Sequence, residues 1–307
     1  GTVAGGYYLP LTQAVALDTG SQAQGTISGY TTGGQAPSGL VNTIDKFPFA
    51  TDTDATDVGN LTQTRSFGAG QSSSVSGYTS GGAVPARVDT IDKFPFATDT
   101  NATDVGELII ATNAQAGQSS TTSGYSSGGQ TSPGVTTAIN KFPFASDTNA
   151  TNIGDMTQNR NTPAGQSSTE NGYNSGGFTT SPSNARVNVI DKFSFSSDGN
   201  STDVGDLTQS RNGSAGQNSK VSGYTSWGLT PASVNTIDKF PFAADSNATD
   251  VGDLADTTPS AGSQSSDVSG HVSASPGIIK FSFASDGNGT VVANLSQARD
   301  NTMGQQV

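Results

Sequence analysis

Short alternations of apolar and polar residues, separated by clusters of Gly, Ser, Thr, Asn and Asp, run along this chain from end to end. The clearest is Thr-Ile-Asp-Lys-Phe-Pro-Phe-Ala at 43–50. A period of two sets Phe47 and Phe49 on one face and Ile44, Lys46 and Pro48 on the other, the pattern of a strand. Three more segments surround it in each copy. Segment a is small, Ala-Gly-Gln-Ser-Ser at 69–73 and again at 164–168; segment b is Val-Ser-Gly-Tyr-Thr-Ser-Gly-Gly at 75–82; segment c is the Phe-Pro-Phe phrase; segment d is Asp-Val-Gly-Asp-Leu at 203–207. Between c and d lies a stretch such as Thr-Asp-Thr-Asn-Ala-Thr at 98–103, dense in residues whose side chains bond their own backbone in turns.

The pattern repeats. Tyr30, Tyr78, Tyr125, Tyr173, Tyr224 and His271 fall in register at intervals of roughly 48 residues, and the Lys-Phe-Pro/Ser-Phe phrases beginning at Lys46, Lys93, Lys141, Lys192, Lys239 and Lys280 give the same register independently. The chain therefore reads as one domain, residues 1–307, of six all-β units. Four short strands per unit predict a six-bladed β-propeller of four-stranded antiparallel blades. An open β-solenoid is the alternative, because periodicity defines the unit and not its closure. The Phe pairs are the expected core: Phe47, Phe49, Phe94, Phe96, Phe142, Phe144, Phe193, Phe195, Phe240, Phe242, Phe281 and Phe283. Burying each is worth roughly 1.5–3 kcal/mol. The proline between them lacks an N–H, which places segment c towards the outside of the blade or leaves that bond to solvent. The small residues of segment a suit an innermost strand.

Both ends carry pieces of the repeat. Leu11, Thr12, Gln13 and Gly20 align without gaps on Leu207, Thr208, Gln209 and Gly216, and Met303-Gly304-Gln305 resembles the start of a further segment a. Such an overlap suits a propeller closed by sharing a blade between the two ends, and equally a piece of a longer array. The first residue is Gly, which points to a processed or truncated start. The sixth unit departs from the others, with His271 for Tyr and Ile279 for Asp, as terminal repeats often do.

Composition narrows the function. Charged residues make up 12% of the chain, 39 residues are Gly, and the net charge is −12. With 13 Lys and Arg, six of the seven lysines at one repeat position, no basic cluster is available for nucleic acid. No apolar run is long enough for a membrane-spanning helix. There is no cysteine, so disulfides, thiolate metal sites and a Cys nucleophile are excluded.

The order small-residue strand, hydrophobic-Gly-Tyr-x-x-Gly-Gly, variable loop, Ile-Asp-x-Phe, then Leu-x-x-x-Arg at 61–65 and 207–211 resembles kelch repeats over nearly the whole chain. It departs from them in lacking the usual tryptophan; Trp227, the single Trp, replaces the first glycine of a Gly-Gly pair. The phrase Asp-Lys-Phe-Pro-Phe-Ala-x-Asp-x-Asn-Ala-Thr-Asp-Val-Gly-Asp-Leu around 238–254 is similar to repeats in structural proteins of marine phages, notably cyanophages. The resemblance implies a non-enzymatic virion or appendage protein that binds other virion or surface proteins or a host-surface glycan, located on a virion or outside the cell. A bacterial cell-surface or secreted adhesin or assembly subunit is one alternative, and a carbohydrate-active enzyme another; oligomeric state is left open.

The residues offer little for catalysis. His271, the lone histidine, stands where the other units have Tyr and reads as a substituted structural aromatic. Nearly all Asp are repeat copies, whereas a glycosidase needs one distinct pair of carboxylates; Glu107 and Glu170, the two glutamates, stand at positions filled elsewhere by other polar residues. No cofactor is called for. Asp52, Asp54 and Asp57 have a spacing that weakly suggests a calcium loop, though the fixed Gly and distal Glu of an EF-hand are missing. Specificity is expected in the connections between segments b and c, which differ in length and content, and Phe178, Arg186 and Trp227 are the candidate binding residues near them. The recurrent Asp-Lys pair is expected to be a solvated strand edge rather than a ring of charge.

Overall fold

In a computed structural model, residues 24–257, 261–273 and 275–307 are described, and they form an all-β molecule. No helix among them is long and apolar enough to cross a membrane. Six four-stranded antiparallel sheets are arranged as the blades of a propeller. In blade 2 the strands run Ala69–Ser72 (a), Ser76–Ser80 (b), Thr90–Pro95 (c) and Thr103–Glu107 (d), hydrogen-bonded in that order. Blades 3 to 6 repeat the arrangement, with inner strands Ala116–Ser119, Ala164–Ser167, Ala215–Asn218 and Gly262–Ser265.

Blade 1 is composite. Its strands b, c and d are Ser28–Thr32, Thr43–Pro48 and Thr56–Asn60, while its inner strand is Met303–Gln306, paired antiparallel with strand b from Gly29 opposite Gln306 to Thr32 opposite Met303. The expected strand at Met303-Gly304-Gln305 is therefore present and completes the ring, and the open solenoid is excluded. The matching expectation for Leu11, Thr12, Gln13 and Gly20 lies outside the described residues.

Segment c is the third strand and not the outermost. Its proline sits beyond the end of the pairing with strand d, which stops at Lys46 opposite Thr56, so the missing N–H interrupts no c–d ladder bond. A bulge between Ile44 and Asp45, repeated in all six blades, adds a local twist at the same point.

Both faces of every blade are buried, because each is flanked by two others. Phe94 and Phe96 of blade 2 pack on Tyr30, Ile44 and Leu61 of blade 1, and Phe47 and Phe49 of blade 1 pack beside Ile278, Ala293 and Leu295 of blade 6. The alternation of strand c thus separates a Phe face directed at the preceding blade from an Ile face that receives the next. Each Tyr stacks on the second Phe of the next blade at 4.8–4.9 Å between centroids, and the two Phe rings meet edge to face. His271 takes the Tyr role against Phe47 and Phe49. The glycine before each Tyr is required by this packing: a Cβ on Gly77 would lie 2.3 Å from the ring of Phe94, its cross-strand partner.

Polar interactions link neighbouring blades as regularly as the rings do. The inner-strand Gln residues are buried, and each donates to the carbonyl of the next blade's Tyr or His: Gln71 to Tyr125, Gln118 to Tyr173, Gln166 to Tyr224, Gln217 to His271, Gln264 to Tyr30 and Gln305 to Tyr78. Further out, Arg65, Arg160, Arg211 and Arg299 form ion pairs with Asp92, Asp191, Asp238 and Asp45, all with fully buried side chains. On the rim, Lys46, Lys93, Lys141, Lys192, Lys239 and Lys280 reach Asp99, Asp147, Asp198, Asp245, Asp286 and Asp52 of the next blade. The rim lysines thus do form a ring of charge, but with the c–d loop of the neighbour and not with the adjacent Asp of their own strand.

Candidate functional site

The d–a turns and the b–c connections emerge on one face of the propeller, around the central axis. To pass from the outer strand of one blade to the inner strand of the next, the chain turns at Phe67, Ala114, Thr162, Gly213 and Asn301, each with φ between 50° and 72°. For the four that are not glycine this left-handed conformation is costly, on the order of 1–3 kcal/mol, and persists only where the surroundings impose it. What imposes it is a chain of backbone hydrogen bonds from blade to blade: Phe67 N–H donates to Asn301 O, Ala114 to Phe67, Thr162 to Ala114 and Gly213 to Thr162, at 2.6–3.0 Å. The result is a collar around the axial mouth whose side chains differ from blade to blade.

Beneath the collar is a cavity of about 120 Å3, lined by Phe67, Gln115, Thr162, Ser214, Asn301 and the inner-strand backbones. Its floor is the ring of inner-strand glycines, so close that a Cβ on Gly70 would lie 2.1 Å from the carbonyl oxygen of Gly304. Gln115 is buried, donates through Nε2 to Ser80 O, and has no partner for Oε1. The space holds a group the size of a side chain, well short of the several hundred Å3 of a typical small-molecule pocket. Among the described residues, no titratable side chain lines it.

The b–c connections surround this mouth. Blade 1 carries a two-stranded tip at Gln35–Ala36 and Gly39–Leu40, blade 2 at Ala83–Val84 and Ala86–Arg87, and blade 4 at Phe178–Thr179 and Ala185–Arg186; in blade 5, strands b and c themselves extend to Leu229 and from Ser233. Phe178 and Arg186, two of the sequence candidates, stand opposite each other in the blade 4 tip, both half-buried. Arg186 Nε donates to Asn212 Oδ1, and Arg87 makes the same contact with Asn113 in blade 2, so Arg186 has a counterpart and helps hold its tip against the next d–a turn.

Trp227 is different. It is 1% exposed and belongs to the core, in one apolar cluster with Tyr224, Leu254, Val272 and Ile279. It adopts φ of 60° where Gly33, Gly81, Gly128 and Gly176 stand in other blades, which turns the indole inward. At this blade 5–6 interface the chain has no Arg four residues after Leu254, and Ile279 takes the place of the paired Asp. An apolar set has replaced a buried ion pair. The reading of Trp227 as a candidate binding residue beside a variable connection missed its burial, because its partners, Val272 and Ile279, lie roughly 50 residues away in the next repeat.

Asp52, Asp54 and Asp57 do three separate jobs. Asp52 pairs with Lys280, Asp54 accepts from the backbone N–H of Asn294, and Asp57 accepts from that of Gly59. Among the described residues no group of three or more His, Asp or Glu is gathered as a metal site would need. His271 is buried against Phe47 and Phe49 of blade 1. Burial holds its imidazole pKa down to about 4, the Lys280 charge acts the same way, and Asp52 opposes both. Near neutral pH it is an uncharged ring in a wall of rings. The buried Gln ring, the Arg–Asp pairs and the collar are features that sequence reasoning missed, although Arg65 and Arg211 stood in a quoted motif. No family model matches the chain, and no curated protein matches it.

Proposed function

We propose that this propeller is a non-catalytic binding scaffold of kelch-like repeats, carried as a virion structural or appendage protein, which docks another virion or surface protein through its loop face. The observation that supports this reading is the distribution of variation. The contacts between blades recur nearly unchanged, whereas the collar residues Phe67, Ala114, Thr162, Gly213 and Asn301 and the tips at Phe178–Thr179 and Ala185–Arg186 differ, and they gather on one face. Loops that vary on a constant framework are where a scaffold places specificity. The virion setting rests on the resemblance of the Asp-Lys-Phe-Pro-Phe-Ala phrase to phage repeats.

Two measurements test it. Gold-labelled antibody against the chain should decorate purified particles and not bacterial surfaces; the reverse would favour an adhesin. Surface plasmon resonance against purified virion proteins should show a partner whose affinity falls at least tenfold in F67A and F178A. Binding unaffected by either change, or turnover of a glycan by the purified chain, would refute the reading.

A further inference from the structure

The opposite face carries the a–b turns and c–d loops, and it is asymmetric. Immediately before strand b, Ile27, Val75, Val221 and Val268 project into solvent, each more than half exposed. These belong to blades 1, 2, 5 and 6; blades 3 and 4 have Thr122 and Glu170 at the same position. Those two blades frame a cleft of about 490 Å3. Three departures from the repeat meet in it: Glu170 for Val, Ser194 for the proline at 48, 95, 143 and 241, and Ser196 for the alanine at 50, 97, 145, 243 and 284. In blade 6 Ser282 also replaces proline, but beside Val268 and Ala284, so only blade 4 combines the three.

Strand c is fixed against the turn by the Phe195 N–H donating to Glu170 O at 2.9 Å. Ser194 Oγ accepts from the Ser196 N–H and lies 3.0 Å from Ser196 Oγ, so the two hydroxyls are held side by side. The Glu170 carboxylate has no hydrogen-bond or ion-pair partner among the described residues. Phe195 is half-buried, one face stacked on Tyr125.

We infer that this cleft between blades 3 and 4 binds a neutral or amino-bearing saccharide. Adjacent hydroxyls donate and accept, matching the hydroxyl rows of a sugar. The free carboxylate accepts from sugar hydroxyls or an ammonium group and repels acidic sugars, and Phe195 offers apolar surface to the sugar's C–H groups. The volume falls within the range of built ligand sites. The cleft holds a single carboxylate where glycoside hydrolysis needs two, so the chemistry is capture and not cleavage. It lies on the face away from the loops and stands independently of the loop-face reading.

The test is a microarray of neutral, amino-bearing and acidic oligosaccharides probed with the labelled full chain, followed by calorimetry on the best-bound glycan. Neutral or amino-bearing glycans should bind and acidic ones should not. E170V/S194P/S196A, which restores residues other blades carry, should weaken binding at least tenfold with unchanged circular dichroism. E170Q should lower affinity for amino-bearing glycans selectively, and F178A on the loop face should leave binding intact. No glycan bound by the wild type, a preference for acidic glycans, or undiminished binding by the triple variant would overturn the inference.

Discussion

At the residue scale, His271 makes stability depend on acid. Its folded pKa of about 4 lies below the ordinary 6.5, so the unfolded chain binds the proton more readily. The contribution is fully present above about pH 6.5 and is lost as pH falls towards 4, on the order of 3 kcal/mol in all. Urea midpoints for wild type and H271Y should coincide in form near pH 7.5 and diverge below pH 6, the Tyr variant declining less; parallel curves would show that the imidazole does not titrate in this window. The buried ion pairs give a second residue-scale prediction. Removing one partner strands a charge and costs about 3–5 kcal/mol, as in R65A or D92N, whereas losing both together costs far less. The chain already does this twice: Thr112 and Asn140 stand at the positions that Arg and Asp hold in other copies, and the missing Arg after Leu254 coincides with Ile279. R65T/D92N, copying the first case, should therefore be more stable than either single variant in a double-mutant cycle. Additive losses would show the pair is not coupled. These pairings were invisible in the linear sequence because Arg65 and Asp92 stand 27 residues apart in different blades, and a lone Arg in a motif does not name its partner.

At the element scale, strand c was the most legible part of the chain. Its period of two, with Phe at alternate positions, sets both rings of each copy on one face, since alternation on a strand determines sidedness whatever the fold; eight of the twelve rings are buried, and Phe144, Phe195, Phe242 and Phe283 pack half-buried against the clusters. Strand a was half legible. Its small residues did mark the innermost strand, but nothing in the linear sequence named the partner of the Gln within it, which bonds to the next blade. Gln166 Nε2 reaches Tyr224 O, Ser175 Oγ and Thr225 Oγ1 at 2.8–3.0 Å, all buried. Q166A should cost about 1–3 kcal/mol, because it leaves a buried carbonyl without its donor. K192Q at the rim should cost about 0–1 kcal/mol, since Asp245 is more than half exposed and water screens the pair. Thermal melts rank the two, and an equal loss would mean that the rim carries more of the inter-blade energy than its exposure allows.

At the scale of the whole molecule, the sequence supplied the number of blades but left closure open, because the pairing that settles it joins residues more than 270 positions apart. Met303–Gln306 lies against Ser28–Thr32, and the interface beside it holds His271 against Phe47 and Phe49, Arg299 with Asp45, Lys280 with Asp52, and Gln264 bonded to Tyr30. Every other blade is built from one continuous stretch of chain. The ring's integrity therefore rests on one noncovalent seam, and the absence of native cysteine makes that seam directly testable. Opposed residues of an antiparallel pair sit about 4.5–5.5 Å apart at Cα, within reach of a disulfide. Thr32→Cys combined with Met303→Cys, oxidised in the folded state, should give a cross-link within a single chain, detected by mass spectrometry of a monomer. Free thiols in the folded protein, or cross-links only between chains, would contradict a propeller closed by its own last strand.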